Sequence, residues 1–181
     1  MLKIPLEQLR CQVQVHPEIW NNPRYTTSYA YALGLDIEES KICKDAYVPG
    51  RISGSLGLLS SLRIGEYFPY HKLERNFKRD LKALRISSKV VQPDAKVEKG
   101  DWKVAIFVSF YDDSHSYKKL YMYKFLRQNS DGVWMYKNSY FNEPTNLDSD
   151  EQVIEDPRKC HIKHYKYHKC YSLSLKNWWK K

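Results

Sequence analysis

The sequence predicts an α+β fold in which helices from the N-terminal half pack on an antiparallel β-sheet. Apolar residues recur at three- and four-residue steps between residues 66 and 85, which is the period of an amphipathic helix. Three segments with the pattern of strands follow at 102–111, 118–127 and 133–137, and a Ser-Asp-Gly turn separates the last two. We therefore expect at least three antiparallel strands with helices packed against them.

The length and composition indicate one globular domain. The chain has 181 residues, of which 42% are hydrophobic and 14% are aromatic, and this is enough to form a sizeable core without metals or disulfides. We expect a single domain over residues 1–181, with an N-terminal arm at 1–20 and a basic, aromatic C-terminal segment at 158–181. Cys11 and His16 in the arm lack an orienting partner and are interpreted as packing residues.

Residues 21–34 predict a short helix with defined ends. Thr26 or Thr27 can cap its first turn, and Gly34 suits the left-handed residue that closes a helix. Ser28 then lies at or beside the first helical residue, where unpaired amides and the helix dipole favour a nucleophile. A capped surface helix without chemistry would show the same pattern.

The middle of the chain predicts a long helix between two loops. Residues 36–54 form the first loop, which ends in the turn Pro-Gly-Arg-Ile-Ser-Gly, and the polar residues 87–101 form the second. The helix extends from about 69 to 85 and carries an apolar stripe of Tyr70, Leu73, Phe77, Leu81 and Leu84. Its opposite face carries Lys72, Arg75, Lys78, Arg79, Lys82 and Arg85. This basic face is either solvated or a contact surface for phosphates.

The strand segments differ in how much of their surface they are expected to bury. Residues 102–111 are almost continuously apolar, so we expect a central strand that is covered on both faces. In the next strand, alternation places Lys124 on the same face as Leu120, Met122 and Leu126. A lysine on such a face requires a cleft, an acidic partner or an exposed sheet edge.

The C-terminal segment concentrates potential metal ligands. It contains Cys160, His161, His164, His168 and Cys170. Their spacing fits no zinc finger, and the neighbouring lysines and arginines would repel a cation, so we expect no metal site and no cofactor. Residues 171–175 alternate in polarity and predict a last strand that closes the sheet.

The net charge and the N-terminus suggest where the protein acts. The formal charge of +9 favours a nucleic acid, an anionic surface or an acidic protein as partner, although a solvated surface explains it equally well. We find no apolar run typical of a signal peptide or a transmembrane segment. The four cysteines form no framework, which favours the cytoplasm, or delivery by a secretion system that needs no signal peptide.

Several short sequence blocks occur in a fixed order: Asn21-Asn22, Ser28-Tyr29-Ala30-Tyr31-Ala32, Pro49-Gly50-Arg51-Ile52-Ser53-Gly54, Tyr123-Lys124-Phe125-Leu126-Arg127, Ser130-Asp131-Gly132, Thr145-Asn146 and Asp156-Pro157. They resemble a group of mostly uncharacterised bacterial proteins related to papain-like (NlpC-type) cysteine hydrolases. In that group an Asn-Asn-Cys-Tyr-x-Tyr-Ala helix start precedes a Pro-Gly-Arg-x-Ser-Gly turn and an Asp-Tyr-His-x-Tyr-Arg strand. The resemblance spans roughly residues 21–157 and implies a papain-like fold.

The resemblance also implies a site, and the sequence departs from the family at its chemical positions. Ser28 stands at the position of the cysteine, Lys124 at that of the histidine and Tyr136 at that of a second histidine, while the implied cleft residues are Tyr29, Arg51, Ser53 and Tyr123. A serine needs a base to become a nucleophile, and an ordinary lysine is protonated at neutral pH. The sequence therefore predicts an inactive pair, with Ser28 and Lys124 facing each other across a groove.

Three hypotheses for the function follow. The first is a catalytically degenerate papain-like module that binds a protein partner, as a bacterial effector or regulator. The second is an active cysteine-type amidase, peptidase or acyltransferase. It requires that Ser28 replaces a natural cysteine, or that another base such as His115 reaches the helix start. The third is a basic protein that binds nucleic acid or an anionic surface.

Overall fold

A computed structural model describes residues 13–15, 27–37, 48–50, 52–54, 70–111, 120–128, 132–138 and 143–175. In chain order the elements are β1 (Val13–Val15), α1 (Ser28–Leu33), β2 (Leu35–Ile37), α2 (Tyr70–Ala83), β3 (Ser87–Val90), β4 (Trp102–Tyr111), β5 (Leu120–Gln128), β6 (Trp134–Tyr136) and β7 (Lys166–Ser174). Strands β3 to β7 form one antiparallel sheet, and β1 pairs with β2 in a separate antiparallel pair. The α+β class and the antiparallel sheet predicted from the sequence are confirmed.

The order of strands in the large sheet is β3-β7-β4-β5-β6. The three strands predicted at 102–111, 118–127 and 133–137 all form, and each observed end lies within two residues of the predicted one. β4 is the central strand, and its residues 102–109 are buried on both faces, as its continuous apolar sequence indicates.

Two predictions at the C-terminal side of the sheet are wrong. Residues 87–90 were predicted as part of a loop but form the edge strand β3, where all four residues are exposed and no polar alternation marks the strand. The last strand was expected to close the sheet, but β7 lies inside it, between β3 and β4. Residues 166–174 of the predicted C-terminal segment are therefore an integral part of the domain.

Each face of the sheet has its own apolar core. The helix-side core consists of Tyr29, Ala30, Ala32, Leu33, Leu73, Phe77, Leu81, Ile86, Trp102, Val104, Ile106, Val108, Phe125, Tyr171 and Leu173. The loop-side core, on the opposite face, consists of Ala105, Phe107, Leu126, Trp134, Tyr136, Ile154, Ile162 and Cys170. Alternate residues of β4 and β5 contribute to the two cores, because side chains alternate along a strand.

A bulge in β7 adjusts which side chains reach the loop-side core. The partner of β4 changes from Lys169 opposite Ile106 to Tyr167 opposite Phe107, so that His168 is the extra residue. Tyr167 therefore packs against the loop-side core, and its ring contacts that of Phe107 at 5.9 Å between centroids.

Candidate functional site

Helix α1 begins and ends where the sequence predicts. Thr27 Oγ1 accepts a hydrogen bond from Ala30 N at 3.3 Å, and Gly34 closes the helix in the left-handed conformation with φ of 65°. Ser28 is the first helical residue, as expected. However, Thr27 already occupies the Ala30 amide, and a helix of six residues has a weak dipole because few peptide units add to it.

The side chain of Ser28 completes the edge of the sheet. Ser28 Oγ accepts a hydrogen bond from Phe125 N at 3.3 Å. Strand β6 pairs with β5 only from Leu126 to Gln128, so Phe125 is the first residue of β5 beyond that pairing. Ser28 therefore supplies the acceptor that the missing continuation of β6 would otherwise provide.

Lys124 is buried on the loop side of β5. The residue is only 8% exposed, and its Nζ donates a hydrogen bond to Asn138 Oδ1 at 2.6 Å. The same nitrogen lies 4.9 Å from the ring centroid of Tyr136 and 4.8 Å from that of Tyr165. Burial lowers the pKa of Lys124 to about 8, while the two ring faces attract the ammonium form and oppose that shift.

The prediction that Ser28 and Lys124 face each other is corrected by these contacts. Phe125 packs in the helix-side core with α1, so alternation directs Lys124 to the other face, together with Leu126 of the loop-side core. From the sequence, Lys124 was expected on the core-side face of β5 and opposite Ser28, whereas both faces of β5 are covered and α1 packs on the face that Lys124 does not share. The structure does bring Lys124 and Tyr136 together.

Burial also changes the chemistry expected of Lys124. A lysine with a pKa of about 8 is neutral in about one molecule in ten at pH 7, so its protonation state alone does not prevent it from acting as a base. The direction of its side chain does, because the Lys124 amine is engaged by Asn138 and the two tyrosines on the opposite face.

The buried carboxylate of Asp80, which was not predicted from the sequence, joins α1, α2 and the turn that contains Gly50. Asp80 is fully buried and accepts hydrogen bonds from Tyr29 Oη at 2.7 Å, Gly50 N at 2.6 Å and Ser53 N at 2.8 Å. Burial raises the pKa of Asp80, and hydrogen bonds from Ser53, Tyr29 and Gly50 oppose this rise. One signal could have revealed Asp80: it lies seven residues after Leu73 and four before Leu84, on the apolar stripe of α2.

The residues predicted to border a cleft have structural roles where they are described. Tyr29 is fully buried, so it is a core residue and not an open cleft residue. Ser53 is half-buried and also donates from its hydroxyl to Gly50 O at 3.3 Å. Tyr123 is half-buried, and its ring contacts that of Phe125 at 5.7 Å between centroids. Arg51 lies outside the described residues, as does His115.

The cysteines and histidines of the C-terminal segment lie in different surroundings. Cys160 packs against the loop-side core, and Cys170 belongs to it. His161 Nδ1 is 3.0 Å from Asp150 on the surface, while His168 Nε2 is 3.6 Å from Glu74 of α2. No group of three or more His, Cys, Asp or Glu residues within the described ranges is arranged to hold a metal ion. Burial is the main cause that raises the pKa of both thiols to about 12.

Comparisons with protein-family models, with curated proteins and with solved structures find no match to this chain. In the part of the chain that the structure describes, no helix has the length and apolar character needed to cross a membrane.

Proposed function

We propose that the protein is a catalytically inactive module with a papain-like fold, which binds a polypeptide partner at the surface around Ser28 and acts as an effector or regulator. One observation carries the proposal: Ser28 Oγ is bound to the backbone amide of Phe125 at 3.3 Å, and among the described side chains no imidazole hydrogen-bonds to it. A serine without a base has little nucleophilic character.

The buried contacts of the motif residues support retention of the fold. Tyr29, Gly50 and Ser53, which belong to the motifs that resemble the hydrolases, all bind Asp80. Such contacts preserve the position of α1 against α2 whether or not the protein catalyses a reaction. Ser28 is only half-buried, so part of its surface at the helix start is accessible to a partner.

A catalytic test separates this proposal from the alternative of an active hydrolase. We expect wild-type protein to show no labelling of Ser28 by a fluorophosphonate and no Ser28-dependent hydrolysis of peptide, amide or ester substrates. Ser28→Cys should become reactive toward iodoacetamide, yet should turn over these substrates no faster than Ser28→Ala, because no base takes its proton. Robust turnover by Ser28→Cys would overturn the proposal and indicate that an active cysteine enzyme was the ancestral state or is the natural one.

A binding test addresses the partner. Peptides are selected from a random phage-displayed library against the wild-type protein, and their Kd is measured by fluorescence anisotropy. Alkylation of Ser28→Cys with a bulky maleimide should weaken binding at least tenfold, whereas the same treatment of wild-type protein controls for labelling of the natural cysteines. If no selected peptide is sensitive to the label at position 28, the surface around Ser28 is not the binding site.

A further inference from the structure

The outer face of α2 is a continuous basic surface that the Ser28 site does not use. From residue 72 to the end of the helix, the exposed residues are Lys72, Arg75, Lys78, Arg79, Lys82 and Ala83. Leu73, Phe77 and Leu81 of the same helix are buried in the helix-side core. The basic face predicted from the sequence is thus confirmed as an exposed surface over residues 72–82.

Four of these cations form a row that has no carboxylate partner among the described residues. Lys72, Arg75, Arg79 and Lys82 make no salt bridge with any acidic residue of the described ranges, whereas Lys78 pairs with Glu74 at 3.1 Å. The row follows steps of three and four residues and is about 15 Å long, from the rise of 1.5 Å per residue. We call these four residues the basic row.

The acidic residues of α2 do not offset the charge of the basic row. Asp80 lies on the buried side of α2, away from the basic row. Glu74 accepts from Lys169 Nζ at 2.9 Å and from the hydroxyl of Tyr171. Burial alone would raise the pKa of Glu74, but the hydrogen bonds from Tyr171, Lys169 and Lys78 outweigh it and lower this pKa to about 2. The carboxylate of Glu74 is therefore ionised but already surrounded by donors.

The loop side of the sheet carries an acidic segment, and basic residues follow it directly. Residues 143–157 contain six acidic residues and no lysine or arginine, and Ile154 of this segment packs in the loop-side core, opposite α2. Arg158, Lys159 and Lys163 follow this segment directly, and Arg158 pairs with Asp156 at 2.7 Å, so the attraction of a polyanion to the helix side rests on the basic row and not on repulsion from the loop side.

We infer that the basic row binds the phosphate backbone of a duplex nucleic acid without reading its sequence. Duplex DNA carries about one charge per 1.7 Å of axis, so a row of this length faces several phosphates, and the guanidinium groups of Arg75 and Arg79 can pair with phosphate oxygens in a bidentate manner. This inference is independent of the function proposed for Ser28.

Two observations favour a duplex over other polyanionic partners. The apolar side of α2 is fully used in the core, so the helix has no apolar face to insert into a lipid surface. Between Lys72 and Ala83 no exposed side chain is aromatic, and single-strand binders rely on such side chains to stack the bases.

The test measures binding of a fluorescein-labelled 30-base-pair DNA duplex of random sequence by anisotropy over a range of salt concentrations. One variant neutralises the basic row (Lys72→Gln, Arg75→Gln, Arg79→Gln and Lys82→Gln). The matched control removes the same charge from exposed positions elsewhere (Lys96→Gln, Lys99→Gln, Lys159→Gln and Lys163→Gln). Circular dichroism melting checks that both variants fold.

With about four phosphate contacts, the logarithm of the association constant should fall with that of salt with a slope near −3.6, which is about 150-fold between 50 and 200 mM. The basic-row variant should lose at least thirtyfold in affinity and most of the slope, while the control stays within about threefold of wild type. Equal losses in both variants would overturn the inference, because only net charge would then matter. Tighter binding to polyglutamate or to phosphatidylserine vesicles than to the duplex would also overturn it.

Discussion

Several charged side chains are buried, and two of them, Asp80 on the helix side of the large sheet and Lys124 on the loop side, are compensated differently. On the helix side, the Asp80 carboxylate accepts hydrogen bonds from three donors at 2.6–2.8 Å. On the loop side, the Lys124 ammonium has, among the described residues, one oxygen acceptor, from Asn138, and two tyrosine rings. A buried charge is costly unless its hydrogen bonds replace those of water, so the first charge is better compensated than the second.

This difference assigns the two residues different roles in stability. Asp80 connects α1, the turn residues Gly50 and Ser53, and α2, and its donors lie 27 to 51 residues away in sequence. Its removal leaves those donors without an acceptor. Lys124 connects β5 to neighbouring segments mainly through ring contacts, and its removal leaves apolar ring faces that a neutral side chain can cover. We therefore expect opposite consequences when each charge is removed.

The largest effect is expected from Asp80→Ala. The substitution leaves the hydroxyl of Tyr29 and the amides of Gly50 and Ser53 buried without their acceptor, and should lower the free energy of unfolding by about 3 kcal/mol or more. Urea denaturation measures this value. Tyr29→Phe removes one donor and leaves no unsatisfied hydroxyl, so it should lower the free energy of unfolding by only about 1 kcal/mol. If Asp80→Ala loses no more than Tyr29→Phe, the two faces do not differ as described.

A smaller effect of opposite sign is expected at Lys124. Its pKa is about 8 when folded and 10.5 at its ordinary value, so between these pH values the unfolded chain binds a proton that the folded chain does not. Stability due to this group therefore rises with pH. Between pH 7 and 9.5, the free energy of unfolding of wild type should rise by about 2 kcal/mol more than that of Lys124→Met. At pH 7, Lys124→Met should be at least as stable as wild type, because it removes a poorly compensated buried charge.

The measurement is urea denaturation of both proteins at several pH values. Taking the difference removes the contribution of tyrosines such as the buried Tyr29 and the half-buried Tyr123, whose raised pKa values reduce stability at high pH in both proteins. Lys166→Met, at an exposed position of β7, is the control and should keep the wild-type pH profile. Parallel profiles for wild type and Lys124→Met would contradict the burial of this ammonium.

The same comparison shows what the sequence could predict. Local patterns identified a cap at Thr26 or Thr27, the closing residue Gly34, the apolar stripe of α2 and the buried strand β4, because each depends on residues close in sequence. The alternation of β5 correctly separated Lys124 from Phe125, but no local pattern tells which face the helices cover. Asp80 was missed because its partners come from distant segments, although its place on an apolar stripe was a usable signal.

The smallest effect is expected from Gly50→Ala, which tests how tightly the 48–54 turn packs on α2. Gly50 has φ of 96°, and a Cβ atom there would lie 2.6 Å from Asn76 Nδ2 and 2.8 Å from its Cγ. Gly100→Ala is the matched control: its φ is 88°, but nothing lies within 4 Å of the added atom. Both variants therefore share the backbone strain of a left-handed alanine, about 1 kcal/mol, and only Gly50→Ala adds a collision.

We expect Gly50→Ala to lose about 1–2 kcal/mol more than Gly100→Ala in urea denaturation, as for overpacking of a core. Asn76→Ala in the Gly50→Ala background should recover part of that difference, because it removes the two closest atoms but leaves Cβ at 3.0 Å. Equal losses in the two glycine variants would mean that the turn moves away from α2 at little cost. The hydrogen bonds to Asp80 would then tolerate a shift of the turn. The Asp80 carboxylate would in that case be no better compensated than the Lys124 ammonium on the other face.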